Sequence, residues 1–373
     1  MNVQEAVNTY QTYYCLDCGV CTGSCPVSRV LPSFSPRLIV EKGLLELGDE
    51  LLQDPELWAC LTCSRCYERC PAKINFPEFM RALREEASKR GTTPVYAHHS
   101  MLQTIMELQT QGIQQKKTEW AKEAGKVAET GDTFFFVGCM PYFDVIFRDI
   151  GVDSLTVSRN VIKILNAAGI EPVVSDAECC CGHDMLWNGN FDAFKKLAAK
   201  NVDLIRKSGA KRVVFSCPEG YYTFKHHYPQ YLGDLGFEAV HFYDLIEQML
   251  AEDALKLTNG AGIYTYHDPC RLGRMAKIYE GPRKILRSLA DSQFVEMERN
   301  RENAVCCGTS GWANCSAGSK QIQVERLQEA KKTGAQTLVT ACPKCAIHLN
   351  CALTTMDMDL QIKDLTTLIA ESM

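Results

Sequence analysis

The chain has 373 residues, a formal net charge of −5 and 20 cysteines. This length allows two or three domains with cores of their own, so the cysteines are not required as disulfide staples. Acidic and basic residues are interspersed without a basic stripe, which argues against a nucleic-acid-binding role. The sequence shows no export signal and no run of about 18 apolar residues, so we expect a cytoplasmic protein with no membrane span of its own.

Two cysteine motifs of the same spacing lie near the start of the chain. Each reads Cys-x2-Cys-x2-Cys-x3-Cys-Pro, the bacterial ferredoxin signature, in which the fourth cysteine of one run binds the cluster of the other run. A pair of structural zinc sites is the alternative, but zinc requires neither the repeated third spacing nor the prolines. The motifs therefore predict two cubane 4Fe-4S clusters. Their predicted ligands are Cys15, Cys18, Cys21 and Cys70 for the first and Cys60, Cys63, Cys66 and Cys25 for the second.

The segments around these motifs have the pattern of helices. Apolar residues recur at helical spacing in residues 35–58, and a further helix is predicted from Pro77 to Lys89. Residues 1–90 are therefore predicted to be an α-helical ferredoxin module. Residues 91–130 are rich in Gln, Lys, Glu and Thr with some helical periodicity, and we expect a helical connector there.

Short apolar strands alternate with helices from residue 131 onward. Cysteines follow the ends of the strands, which is where open α/β folds bind their ligands. Residues 131–255 are therefore predicted to form one α/β domain. Its predicted elements are strands at 134–137, 171–175 and 212–215 and helices at about 158–168 and 191–208, with cysteines at Cys139, Cys180, Cys181 and Cys217.

The same order of elements recurs in residues 256–373. Corresponding cysteines keep a near-constant offset, which predicts an internal duplication with its boundary near 252–260. The offsets are 131 residues from Cys139 to Cys270, 126 from Cys180 to Cys306 and 125 from Cys217 to Cys342. The predicted elements are strands at 263–266, about 294–297 and 337–339 and a helix at about 320–333.

Five cysteines of the second half come together if the chain folds back twice. Five thiolates exceed the ligand number of one zinc or iron ion, whereas a multinuclear iron cluster has open positions for all of them. A structural four-cysteine zinc site with a spare thiol, or ordinary buried cysteines, are the alternatives. We interpret the five as a metal-binding and catalytic centre. The set consists of Cys270, Cys306, Cys307, Cys342 and Cys345.

The first half departs from this pattern at one position, because it has Gly220 where the second half has Cys345. Its remaining thiols could hold a further cluster or another metal, and Cys179 could replace the missing ligand after a shift of one residue. The thiols of this first-half set are Cys139, Cys180, Cys181 and Cys217.

The pattern Cys-x(about 31 to 40)-Cys-Cys-Gly-x(about 34 to 36)-Cys-Pro-x-Cys resembles the cysteine-rich CCG domains of the B-type heterodisulfide reductase subunits. The double ferredoxin motif resembles the C-type subunits, so the chain is similar to the fused D-type subunits over essentially its full length. The resemblance implies an α+β multidomain fold, with an N-terminal α-helical ferredoxin module followed by two duplicated α/β CCG domains. It also implies a noncubane 4Fe-4S cluster at the five cysteines of the second half.

Basic and imidazole side chains flank the cysteines of both halves. We expect His183 and His267 to support the clusters by hydrogen bonding, with proton delivery as the alternative. Arg271 and Arg274 are expected to compensate negative cluster charge, with attraction of an anionic substrate as the alternative. Three further residues are expected to be structural or simply buried: His348, Cys315 and Cys351.

Two functions of different class fit this sequence. The first is an iron–sulfur electron-transfer subunit of a heterodisulfide reductase-like redox complex, which passes electrons between the two cubanes and the noncubane cluster. The alternative is a catalytic oxidoreductase subunit that reduces a disulfide or thiol-type substrate at the noncubane cluster. No Gly-x-Gly-x-x-Gly follows a strand, so flavin or nicotinamide chemistry would require a partner. The resemblance implies a flavin-containing redox subunit, a membrane cytochrome or an electron-bifurcating complex in that role.

Overall fold

The computed structural model of the chain describes residues 1–258, 260, 262–313 and 315–373. Its N-terminal part is helical, and the longest helix there is Phe76–Lys89, close to the predicted 77–89. Asn75 caps this helix by accepting a hydrogen bond from the amide of Glu78, and a proline occupies its first turn. The helices are α1 (Val3–Thr9), α2 (Val20–Ser24), α3 (Pro26–Val30), α4 (Pro36–Leu44), α5 (Gly48–Gln53), α6 (Arg65–Arg69) and α7 (Phe76–Lys89).

The segment that follows is less helical than its composition predicts. Within residues 91–130, the structure has a three-residue 3-10 turn at His98–Ser100 and two α-helices, and the rest is irregular. The helices are α8 (Met101–Thr110) and α9 (Ala121–Ala124). Helix α8 packs against the helix Phe191–Ser208 of the first α/β half, so this segment is attached to the α/β part of the chain.

The first α/β half is built on a parallel sheet with strand order β1-β2-β3 among the described residues. The structure differs from the prediction at 171–175, where we expected a strand: among these residues only Val173 pairs with β1, through an isolated bridge to Phe134. Pro172 has no amide hydrogen to donate, which limits pairing at this edge. The elements are β1 (Thr133–Phe136), α10 (Met140–Ile146), α11 (Ser154–Ala167), α12 (His183–Trp187), α13 (Phe191–Ser208), β2 (Arg212–Phe215), α14 (Pro218–Tyr222), α15 (Tyr228–Leu232), β3 (Glu238–His241) and α16 (Phe242–Ala251).

The second half repeats this arrangement in a parallel sheet of order β5-β4-β6-β7. Strand β5 takes the edge position that Val173 takes in the first half, and the predicted strand near 294–297 lies at Ser292–Phe294. The predicted boundary at 252–260 includes Asn259, which lies outside the described residues. The elements are β4 (Gly262–His267), α17 (Glu280–Ser288), β5 (Ser292–Phe294), α18 (Ala317–Lys332), β6 (Thr337–Thr340), α19 (Pro343–Leu353), β7 (Gln361–Asp364) and α20 (Leu365–Glu371).

Shared apolar cores join these parts. One core combines residues of the N-terminal helices, such as Phe79 and Leu83, with Val305 and Leu338 of the second half. Another contains Val214 of the first sheet and residues of the second. The N-terminal helices therefore lie against the second α/β half. Within the described residues, no helix combines the length and apolar character needed to cross a bilayer.

Candidate metal centres

The thiols of the two N-terminal motifs fall into two groups that cross the motifs. Burial raises the pKa of the Cys21 thiol, and the neighbouring Cys15 and Cys70 raise it further. Cys70 comes from the second motif, and helices α2 and α6, which follow the two motif loops, pack against each other. Cys18 lies on the surface of the first loop. The structure therefore brings the fourth cysteine of the second motif to the first motif.

The second group has the reciprocal composition. Burial raises the pKa of the Cys66 thiol well above its usual range, and the charges of Cys60, Cys63 and Cys25 add to the effect, with a smaller addition from Cys21 of the first group. Cys60 and Cys63 are buried, and the Cys60 sulfur accepts a hydrogen bond from the Thr62 amide at 3.3 Å. Cys25 is thus placed with the thiols of the second motif.

The five cysteines of the second half form one continuous contact chain. Cys306 lies close enough to Cys270 and Cys307 for these thiols to raise the pKa of its own. Cys307 is likewise a close neighbour of Cys345, and Cys345 of Cys342, and these neighbours raise the pKa of Cys345. Cys270 is half-buried and the other four are buried. The structure therefore brings the whole predicted set together in a largely water-free position.

The backbone around this set explains its sequence pattern. Parallel strands β4 and β6 end at His267 and Thr340, so their carboxyl ends present Cys270 and Cys342 at the same edge of the sheet. Gly308, which follows the cysteine pair, has φ +84°, and a Cβ there would lie 2.7 Å from the Ser319 carbonyl oxygen. Only glycine fits this left-handed position without strain.

Two histidines contact Cys307. One ring nitrogen of His267 lies within 4.8 Å of the Cys307 and Cys345 sulfurs, and Cys307 acts to raise the pKa of this buried imidazole. His348, which we expected to be structural, has its Nδ1 3.3 Å from the Cys307 Sγ. His348 lies one helical turn after Cys345 on α19, and this i, i+3 spacing is the sequence signal that could have revealed it.

Cys63 of the second motif reaches the five-cysteine set directly. Its thiol lies close to that of Cys306, and this neighbour is the main reason that the pKa of Cys63 is lowered to about 5, with the charge of Arg274 contributing. Arg274 is buried, and its guanidinium donates to the carbonyl oxygens of Cys63 at 2.6 Å and Ala304 at 2.7 Å. This contact between the N-terminal module and the second half was not predicted, because neither motif encodes it locally.

Arg271 makes a second buried connection at the same place. Its guanidinium donates to the Thr62 carbonyl oxygen at 2.6 Å and to the Thr62 hydroxyl at 2.8 Å. Its Nε donates to the Nε2 of His183 at 2.8 Å. Both arginines therefore bind protein carbonyls and side chains in the interior, which favours charge compensation over capture of an anionic substrate.

The thiol set of the first half only partly resembles the five-cysteine set of the second half. Cys139 and Cys181 lie close enough to Cys180 to lower the pKa of its thiol, and Cys217 lies near enough to Cys181 to raise the pKa of the Cys181 thiol. The Cys179 sulfur instead faces backbone carbonyls, that of Gln109 at 3.9 Å and that of Ala177 at 3.7 Å. Four thiols therefore come together, and the structure does not bring Cys179 to them.

Gly220 cannot be exchanged freely for the missing cysteine. A Cβ at this position would lie 3.3 Å from the Phe215 ring, which is tighter than an ordinary contact. The aromatic residue of β2 has therefore filled part of the space that a fifth side chain would need.

A buried ionic group lies between the two sets. The Lys344 ammonium donates to Asp184 at 2.5 Å and Glu219 at 2.6 Å, and His183 Nδ1 lies 2.8 Å from the Asp184 carboxylate. Burial alone would raise the pKa of Asp184, but Lys344 and His183 outweigh it and hold the pKa below its usual range. Lys344 and Glu219 each follow the proline of a Cys-Pro motif, so equivalent positions of the two halves form an ion pair.

A second buried ion pair fixes the loop before Cys139. Glu178 accepts hydrogen bonds from the backbone amides of Val137 and Gly138, at 2.9 and 2.7 Å, and from Lys117 Nζ at 2.8 Å. Glu178 precedes the cysteine run of the first half by one residue. Nothing in the local sequence pattern predicts that Lys117 and Glu178 pair.

Donor sets that consist only of thiols suit iron–sulfur clusters. The two N-terminal groups each contain the four cysteines that a cubane requires, and the five-cysteine set exceeds what one zinc ion can use. The residues present therefore fit the cofactors that the motifs predict.

Comparisons with known proteins agree with these sites. A family model described as a 4Fe-4S dicluster domain matches residues 11–74, and a model described as a cysteine-rich domain, CCG, matches residues 133–225 and 264–350. The D subunit of the dihydromethanophenazine:CoB–CoM heterodisulfide reductase of Methanosarcina barkeri is 28% identical over 314 residues, covering 81% of this chain and 74% of the relative. The B subunit of the fumarate reductase (CoM/CoB) of Methanothermobacter marburgensis is 27% identical over 353 residues, covering 91% of this chain and 68% of the relative.

A solved structure shares the fold. The crystal structure of a hypothetical protein from Helicobacter pylori superposes with a TM-score of 0.57 at 11% identity, covering 91% of this chain and 68% of that chain. At this identity the likeness concerns the fold alone.

The dicluster domain and the paired cysteine-rich domains define the class of this chain, an iron–sulfur protein of the oxidoreductase type. Within that class it is similar to the D-type heterodisulfide reductase subunits, and it carries a dicluster ferredoxin module followed by two cysteine-rich CCG domains. The resemblance and the fold class that the cysteine spacing predicts are thereby confirmed.

Proposed function

We propose that this chain is an electron-transfer subunit of a heterodisulfide reductase-like redox complex. It would pass single electrons between two cubane 4Fe-4S clusters at the N-terminal motifs and a noncubane 4Fe-4S cluster at the five cysteines of the second half. The closeness of the Cys63 and Cys306 thiols carries this proposal: each shifts the pKa of the other, so a predicted cubane ligand lies next to a predicted noncubane ligand.

The proposed ligands are those that the motifs predict. Cys15, Cys18, Cys21 and Cys70 would hold one cubane, Cys60, Cys63, Cys66 and Cys25 the other, and Cys270, Cys306, Cys307, Cys342 and Cys345 the noncubane cluster. A further cluster or metal at Cys139, Cys180, Cys181 and Cys217 is supported by the contacts among these thiols. The proposed domains are 1–90, 91–130, 131–255 and 256–373.

Iron–sulfur clusters, when bound, supply reversible one-electron chemistry. The protein itself would fix the positions of the clusters and set the charge and polarity of their surroundings. Arg271 and Arg274 fix the Thr62–Cys63 loop against the second half, and their positive charges face the thiols in a buried, low-dielectric interior. Burial of Cys306, Cys307, Cys342 and Cys345 limits contact with solvent, which favours electron transfer over binding of a bulky substrate.

The proposed partner supplies the chemistry that this chain lacks. Relatives are named as subunits of a heterodisulfide reductase and of a fumarate reductase. A flavin-containing redox subunit or a membrane cytochrome, in some cases within an electron-bifurcating complex, is the kind of partner that we propose. The exposed Cys18 places the first N-terminal group nearest the surface, so we propose that electrons are exchanged with the partner there.

The test is electron passage through the second N-terminal group. Reduced flavodoxin is too large to enter the interior, so it should reduce the five-cysteine centre only through the N-terminal groups. We expect Cys66→Ser to abolish rapid reduction of that centre in freeze-quench EPR while the centre keeps its iron. Cys315→Ser, outside the motifs, is the matched control and should behave as wild type. Unchanged reduction in Cys66→Ser would overturn the proposal, and sustained turnover of a small disulfide by the isolated chain would favour the catalytic alternative.

A further inference from the structure

Cys315 and Cys351 lie outside all of the cysteine motifs. We expected both to be buried, but Cys315 is exposed and Cys351 is half-buried. Cys315 precedes helix α18, and Cys351 lies near the end of helix α19, which packs against α18. Two accessible thiols on neighbouring elements have no role in holding the proposed clusters.

A lysine at the start of α18 contacts one of the two thiols. Lys320, in the first turns of α18, donates from Nζ to the Cys351 Sγ at 3.2 Å and to the Cys351 carbonyl oxygen at 2.9 Å. Partial burial raises the pKa of the Cys315 thiol, the charge of Cys351 adds to this, and Lys320 opposes it. Cys315 therefore lies within electrostatic reach of both Cys351 and Lys320.

An ammonium beside a sulfur favours thiol chemistry for a general reason. The thiolate is the form that attacks a disulfide, and a fixed positive charge stabilises the negative charge that the sulfur carries as it attacks. The Lys320 ammonium is held in place by the carbonyl oxygen as well as by the sulfur, so its position does not depend on the thiol alone.

We infer that Cys351 and Cys315 form a redox-active thiol pair that exchanges with small-molecule disulfides, with Cys351 as the attacking thiol and Cys315 as the resolving thiol. Lys320 is the positioning residue that stabilises the attacking sulfur.

The exchange balances without another oxidant. Cys351 attacks one sulfur of the small disulfide, a mixed disulfide forms, and the first small thiol leaves with one proton. Cys315 then attacks the Cys351 sulfur, the protein disulfide forms, and the second small thiol leaves with the other proton. Two protein thiols are oxidised, and one small disulfide is reduced to two thiols.

The structural consequence concerns the loop residues from Gly308 to residue 313, which come shortly before Cys315. Trp312 in this loop is buried, stacks on Phe147 and packs edge-on against His348, the residue that contacts Cys307. A bond between Cys315 and Cys351 would tie the end of this loop to the helix that carries Cys345 and His348. Oxidation of the pair would thus fix the loop that lies beside the five-cysteine set.

Mass spectrometry of the full, anaerobically prepared protein tests the pair. Oxidised glutathione is the probe, and peptides are mapped without reduction after remaining thiols are alkylated. We expect a peptide pair linked through Cys315 and Cys351 with a loss of two hydrogens. Both residues recovered as alkylated thiols, or each carrying glutathione without a cross-link, would overturn the proposal.

Single variants separate the roles of the three residues. Cys315→Ser should accumulate glutathione on Cys351, whereas Cys351→Ser should leave Cys315 largely unmodified. Lys320→Met should slow formation of the linked pair by about tenfold, and Lys320→Arg should restore most of the rate. An unchanged rate in Lys320→Met would refute the role of the lysine. Iron content serves as the folding control, and it is expected to equal that of the wild type in each variant.

Discussion

The buried charge of Arg274 lies close to thiols of two of the proposed centres. Burial opposes its charge, but Cys63, Cys270 and Cys306 outweigh burial and raise the pKa of its guanidinium. It also donates to the carbonyl oxygens of Cys63 and Ala304. A buried positive charge stabilises the reduced, more negative state of a neighbouring cluster.

Arg274→Met should therefore lower the reduction potentials of the centres on either side of Cys63. We expect a shift on the order of 50 mV, measured by EPR-monitored redox titration. Arg274→Lys keeps the charge and should shift the potentials less. Arg287→Met removes an exposed arginine and is the control. Potentials that are the same in Arg274→Met and Arg287→Met would contradict an electrostatic role.

Lys344 offers a second prediction for a single residue. Its removal leaves the Asp184 and Glu219 carboxylates facing each other in the interior without a counter-charge. Lys344→Met should destabilise the fold by about 3–5 kcal/mol, seen as a lower thermal midpoint of the anaerobic protein. Lys284→Met breaks the surface pair with Glu247 and should cost less than about 1 kcal/mol. Equal thermal midpoints for the two variants would show that the buried ion pair contributes no more to stability than the surface pair does.

Single elements were predictable from sequence where local pattern determines them. Helix α13 and strand β2 have the predicted bounds, because Phe191–Ser208 has strong helical periodicity and Arg212–Phe215 is a short apolar run with a glycine before it. Strands β3 and β7 were not predicted. Their sequences, EAVH and QIKD, are short and partly polar, and they become strands through pairing with the buried β2 and β6.

The site also combines features that local sequence determines with features that long-range packing determines. The spacing predicts how the thiols group, because motif loops carry their geometry locally. The Cys63–Cys306 contact and the Lys344–Glu219 pair depend on how distant elements pack, and no local pattern encodes that.

The junction of β7 and α20 gives a prediction at the scale of an element. Asp364 caps α20 by accepting from the Thr366 amide at 2.9 Å and also accepts from the Tyr243 hydroxyl at 3.0 Å. Its Oδ2 is buried without a hydrogen-bond partner among the described residues. Burial raises the pKa of this carboxyl to about 6, so the folded state holds a proton there that the unfolded chain releases near pH 4.

The folded state therefore loses stability from this group as the pH rises through about 6. Relative to Asp364→Asn, which keeps the cap without the titration, the wild-type free energy of unfolding should fall by about 1 kcal/mol between pH 5.5 and 8. Urea unfolding of both proteins under anaerobic conditions measures the difference. A difference that does not change with pH would mean that the carboxyl titrates normally in the fold.

At the scale of the whole molecule, the thiol sets lie in one order. The first and second N-terminal groups are adjacent, because helices α2 and α6 of their motifs pack against each other. The second group reaches the five-cysteine set through Cys63. The first-half set comes next, since Cys342 helps to raise the pKa of Cys217. The surface-exposed Cys18 marks one end of this series. Such an order suits stepwise passage of electrons from the surface to the interior.

The most direct test is whether the five cysteines of the second half hold a cluster of their own. Iron quantification and EPR on anaerobically prepared protein, during dithionite titration, should be compared between wild type, Cys345→Ser and the control Cys315→Ser. We predict that Cys345→Ser loses or alters one cluster signal while both cubane signals persist, and that Cys315→Ser matches wild type. Iron content and spectra of Cys345→Ser that equal those of the wild type would contradict the five-cysteine centre.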